Sequence, residues 1–67
     1  MRLGEAILRY RAENRMSMKD FAEKCGVSAQ TIYNIETVGQ KPSKVTAIKI
    51  KMVLGDEYQI DPEEGEE

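Results

Sequence analysis

Two side-chain amides one helical turn apart, Gln30 and Asn34, carry the most pointed chemistry in this 67-residue chain. A carboxamide sets a donor beside an acceptor, the pattern that pairs with the exposed edge of a nucleic-acid base, adenine above all. Tyr33 lies beside them and can touch a thymine methyl or a phosphate. Ser28 and Ala29, just before, can approach a phosphate backbone or a methyl group. The stretch from Ser28 to Glu36 contains no Lys or Arg, so it has no arginine fork for guanine. Other chemistries are poorly supplied. There is no histidine and one cysteine, Cys25, so a metal site is excluded. No base stands ready to activate a nucleophile, and closely paired acids occur only near the C-terminus. An enzyme, a cofactor and a small-molecule substrate are therefore not expected.

The elements that must position these amides are legible in residues 17–36, SMKDFAEKCGVSAQTIYNIE. Ser17 is an N-cap, and Asp20 three residues on gives a capping-box-like start near the positive end of a helix. Met18, Phe21, Ala22 and Cys25 then form one apolar stripe at helical period. That place makes Cys25 a small buried hydrophobe. Gly26 supplies the left-handed stop. Val27 turns inward, Ser28 caps a second helix, and Ile32 and Ile35 form its buried edge. Small Ala22 lets the two backbones approach. Two helices joined by a tight turn make a helix-turn-helix, with Ala29, Gln30, Tyr33 and Asn34 pointing outward.

The flanking segments read as supports. A first helix is predicted over about Leu3 to Asn14, with Leu3, Ile7, Tyr10 and Arg11 on one face and Leu8 off it. Residues 37–41 read as a loop in which Val38 tucks inward. A last helix runs from its cap at Ser43 to Leu54, stopped by Gly55. Its stripe of Ala47, Ile50 and Leu54 faces the motif. Val45, Ile48 and Met52 form a second stripe, to be covered by Tyr58 and Ile60 or by a second subunit. Asp56 to Ile60 alternates like a short strand or extended arm, and Pro62 ends it.

The chain resembles the lambda-repressor and Cro-like family of helix-turn-helix regulators, often called Xre-type. Phe21, Ala22, Cys25, Gly26, Val27, Ile32 and Ile35 occupy the family's characteristic positions in register. LGEAILRYR fits its first helix, and Lys41, Pro42 and Ser43 stand where the family has Lys-Pro-Ser. The resemblance spans Leu3 to Gly55. It implies an all-α, compact four-helix or five-helix DNA-binding domain, placed here over residues 1–60; the acid-rich residues 61–67 read from their composition as a disordered tail. It also implies that Arg11, a charge on the core side of the first helix, pairs with Glu36. The chain departs from the pattern at three places, four residues in all. Met18 and Ala29 stand where the family usually has Gln, or at Ala29 also Arg, and Thr37-Val38 replaces Asn-Gly.

The net charge of −2 divides by position. All ten Lys and Arg fall in residues 1–55 with only five acids, and seven acids with no base fill residues 56–67. A basic body with an acidic end suits a partner made of phosphates. Phosphate contacts are expected from Ser17 and Lys19 at one helix start, from Lys41 and Lys44 at another, and from Arg9 and Arg15. Lys24, Lys49 and Lys51 read as solvated surface charges. No apolar run spans a membrane, so a cytoplasmic protein is expected. These readings combine into a sequence-specific regulator of double-stranded DNA. It would read the major groove with residues 28–36 and dimerise through Val45, Ile48, Met52, Tyr58 and Ile60. The competing reading is a helix-turn-helix module turned to protein contacts, antirepressor-like or antitoxin-like.

Overall fold

A computed structural model describes residues 1–61. Four helices follow in order: α1 (Leu3–Asn14), α2 (Met18–Cys25), α3 (Ala29–Tyr33) and α4 (Lys44–Leu54). A π turn, Asn34–Val38, prolongs α3, and a 3₁₀ turn, Gly55–Glu57, follows α4. The described residues contain no strand.

Three of the four helices open on a serine whose hydroxyl accepts a backbone N–H three residues on. Ser17 takes Asp20 at 3.0 Å, Ser28 takes Thr31 at 3.1 Å, and Ser43 takes Thr46 at 3.3 Å. Each satisfies a donor that the helix start would otherwise leave without a partner. Between α2 and α3, Gly26 takes the left-handed conformation at φ 79°. Its N–H reaches the carbonyl of Glu23, and the N–H of Val27 reaches that of Ala22 at 3.0 Å. This is the Schellman closure, in which Val27 folds back onto the core.

The core takes Leu3, Ala6 and Ile7 from α1, Phe21, Ala22 and Cys25 from α2, Ile32 from α3 and Ile35 from the π turn. Ile50 and Leu54 complete it from α4, and Ala47 is buried beside them. Tyr10 meets Phe21 edge to face at 5.5 Å, and Tyr58 meets Tyr10 in the same manner at 6.4 Å. The three rings cover one side of the core with favourable quadrupole geometry.

Three expectations need correction. Residues 37 and 38 are not loop: helical winding runs on through Val38, and Gly39 closes it at φ 84° with its N–H on the carbonyl of Asn34 at 2.9 Å. Val38 does not tuck inward but is 66% exposed, because the extra residue of the wider turn carries it past the core face. The segment after Gly55 is no strand; it makes the 3₁₀ turn and then runs along α1. There the Tyr58 hydroxyl donates to Glu13 at 2.6 Å. The Asp61 N–H meets the carbonyl of Met1 at 2.9 Å, and its carboxylate accepts from the Met1 ammonium at 3.0 Å. Tyr58 and Ile60 therefore pack on the core and leave Val45, Ile48 and Met52 exposed at 63%, 51% and 78%. Of the tail expected over residues 61–67, Asp61 instead belongs to this arm through its two bonds to Met1, and residues 62–67 lie outside the described residues.

Candidate nucleic-acid interface

The outward face of α3 carries Ala29, Gln30 and Tyr33 exposed to solvent, with Asn34 half-buried where α3 passes into the π turn. Gln30 Nε2 donates to Asn34 Oδ1 at 3.0 Å, so the two amides form a pair along the helix. Ser28 is occupied: besides capping α3, its hydroxyl lies 2.9 Å from that of Thr31. Asn34 is held firmly by its backbone, because its carbonyl accepts from both Gly39 and Gln40, at 2.9 and 3.1 Å.

The expected phosphate ligands stand on several elements, and of them Lys41 is the one shown beside α3 residues. Ser17 and Lys19 are exposed at the start of α2, and Lys41, Ser43 and Lys44 at the start of α4. Free amides at both starts add a fixed positive potential. Lys41 is the best placed of the lysines, sharing a hollow of about 60 Å³ with Thr31, Asn34, Gln40 and Pro42. Arg15 is exposed at the end of α1, in a left-handed conformation with φ 55°. Arg9 lies 3.6 Å from Glu5 one turn away, so its charge is partly answered within the chain.

What fixes α3 against the rest is Arg11. Its Nη1 donates to both carboxylate oxygens of Glu36, at 2.8 and 3.0 Å, while its Nε donates to the carbonyl of Met16 at 3.2 Å. One guanidinium thereby joins α1, the link to α2 and the continuation of α3. The side chains are 18% and 5% exposed, shielded enough for the pair to act as a charge-assisted clamp. Gly4 completes the clamp: a Cβ there would stand 2.7 Å from the carbonyl oxygen of Ile35. Gly4 and Gln40 escaped the sequence reading. Gly4 sits at a helix start, where nothing local calls for glycine, and Gln40 follows a turn whose shape the sequence misrepresented.

Cys25 is not poised as a nucleophile. Burial pushes the Cys25 thiol up to about 11, with Lys24 pulling weakly the other way, so it stays protonated and inert at neutral pH. Among the described residues no group of His, Cys, Asp and Glu could hold a metal ion. No described helix is long and apolar enough to cross a membrane.

A capped helix, a glycine turn and a second capped helix with an outward polar face stand within residues 7–55, the span matched by the helix-turn-helix family model HTH_3. The chain belongs to this family. HTH_3 domains are Xre/Cro-like, DNA-binding and non-enzymatic, which agrees with the absence of any catalytic grouping in the sequence. No curated protein and no solved structure matches the chain. Within HTH_3 the all-α, lambda-repressor-like arrangement of four helices is the expected one.

Proposed function

We propose that this HTH_3 domain is a sequence-specific transcription regulator of the repressor type that lays α3 in the major groove of double-stranded DNA. The observation that carries the reading is the solvent-facing amide pair of Gln30 and Asn34 on a helix capped at its start and clamped at its end. Gln30, Tyr33 and Asn34 contact base edges. Ala29 faces a thymine methyl, and Ser28, its hydroxyl committed to the cap, meets the phosphate backbone through the free amides beside it. Ser17, Lys19, Lys41 and Lys44 neutralise phosphates, with Arg9 and Arg15 at the margin. Such a protein works where the chromosome is, in the cytoplasm of a bacterial cell.

Two copies would join through Val45, Ile48 and Met52, which stay exposed along one side of α4, and so meet two half-sites roughly 34 Å apart. Tyr58 and Ile60, which pack on the core and meet Tyr10, Glu13 and Met1 through their segment, are not part of that exposed stripe. Met52→Asp then yields monomers on sedimentation with the fold intact, since the side chain is 78% exposed.

The same exposed stripe favours a second reading, a module that binds another protein. Titration with random duplex DNA at low salt, followed residue by residue in amide spectra, separates the two. Shifts at residues 28–34 and 41–44 support the first. No shift in those segments at saturating DNA rejects it in favour of the second.

A further inference from the structure

We propose that Lys44 and Lys49 form a like-charged rim that keeps free copies of this chain apart at low ionic strength. Pairing through α4 then waits for counter-charge, supplied by salt or by the phosphates of a shared duplex. The inference rests on the pairing of two copies through α4 described above, and it names what regulates that pairing.

The stripe on α4 is small. Val45, Ile48 and Met52 are exposed along it, and an apolar patch of this kind offers a few hundred Å² at most. A stable pair usually buries about 800 Å² on each partner, a large share of this chain's accessible surface of 4410 Å². With so little apolar surface to gain, the charges at its edge decide whether two copies meet.

Those charges are of one sign. α4 reads KVTAIKIKMVL and, unlike α1 and α2, carries no acid. Lys44 lies one turn from Ile48, and Lys49 lies one turn from both Val45 and Met52. At 100° per residue the two lysines fall on opposite edges of the stripe. Both are exposed, and neither has an ion-pair partner among the described residues. The next acids along the chain, Asp56 and Glu57, stand in the 3₁₀ turn past the end of α4. Joining two stripes therefore gathers two lysines from each copy around a contact to which α4 brings no carboxylate.

Salt screens that repulsion and leaves the apolar gain in place. DNA acts in the same direction, because phosphates neutralise Lys44 and a shared duplex raises the effective concentration of the second copy. Salt thus has opposite effects on the two events: it tightens pairing in solution and loosens the grip on DNA.

The test is sedimentation equilibrium without DNA, between about 0.01 M and 1 M sodium chloride, where the Debye length shrinks from roughly 30 Å to 3 Å. The unmodified chain is compared with Lys49→Gln and Ile48→Gln, all three changed or judged at exposed positions and checked by melting for an intact fold. Self-association of the unmodified chain should tighten several-fold as salt rises. Lys49→Gln should associate more tightly at low salt and depend less on salt, which general salting-out of apolar surface would not produce. Ile48→Gln should lose association at every salt, which puts the contact on the stripe. Pairing that weakens with salt, or a Lys49→Gln curve that follows the unmodified one, overturns the rim. Ile48→Gln pairing as well as the unmodified chain overturns it too, since the contact then lies elsewhere. If the unmodified chain and Lys49→Gln both stay monomeric throughout, the pairing through α4 has itself failed and the rim falls with it. A chain that shows the expected salt response but retains no random duplex leaves the rim standing and rejects the DNA-binding reading alone.

Discussion

The guanidinium of Arg11 is the most consequential single group outside the amide pair, because three segments depend on where it points. Replacing Glu36 by Ala leaves it shielded and without its carboxylate, which costs about 3 kcal/mol, the lower end for a broken buried pair given the exposure of Arg11. For a domain of this size that lowers the melting temperature by roughly 10–20 °C; a melt unchanged by Glu36→Ala would remove the clamp from the account. Cys25 gives the chain an alkaline weakness. Its thiol ionises near 9.0 when unfolded and near 11 when folded, so folding favours the neutral form. That contribution is complete below pH 9 and disappears as the pH climbs from about 9 to 11. Tyr58, held up to about 12 by its bond to Glu13, adds a loss of the same sign. Urea melts between pH 8 and 11 should therefore show a steeper decline for the unmodified chain than for Cys25→Ala, which keeps the tyrosine.

Helix starts and the glycine turn were open to sequence reasoning because their causes are local. Ser17, Ser28 and Ser43 each bond three residues away, and Gly26 closes a turn within its own neighbourhood. The amides of the candidate site were visible for the same reason, as residues of one helix face. The π turn was not, since what holds Asn34–Val38 in that winding comes from α1: the Arg11 clamp and the close approach at Gly4. The path of the C-terminal arm was hidden likewise, because its alternation suited a strand as well as a segment hung on Tyr10, Glu13 and Met1. Gly4→Ala tests the tertiary cause. A methyl 2.7 Å from a backbone oxygen forces α1 outward, which should destabilise the fold by roughly 1–3 kcal/mol. It should also lengthen the Arg11–Glu36 contact, and a fully retained Arg11–Glu36 contact by NMR would show that α1 has room to spare.

At the scale of the whole molecule the distribution of charge matters more than its total. A chain ending at Asp61 sheds four glutamates and moves from −2 to +2, while keeping every described contact of the arm. The acidic end is expected to compete with DNA for the same lysines, over a range of roughly 8–10 Å at physiological ionic strength. Removing it should raise affinity for random duplex several-fold at low salt, with the two forms converging at high salt. Equal isotherms at low salt would mean that the tail does not compete.

The Gly26 closure has a consequence in time as well as in shape. It brings α2 and α3 together across a few residues, whereas α1 reaches the π turn only by closing a loop of some 25 residues between Arg11 and Glu36. Short closures form first and long ones late. The hairpin that bears the amides is then expected to form early in folding, and the Arg11–Glu36 clamp to be added near the end. Weakening the clamp would speed unfolding and leave the folding rate almost untouched. In that order of events α3 would form before its orientation against α1 is set, and a folding rate that falls along with Glu36→Ala stability would reject it.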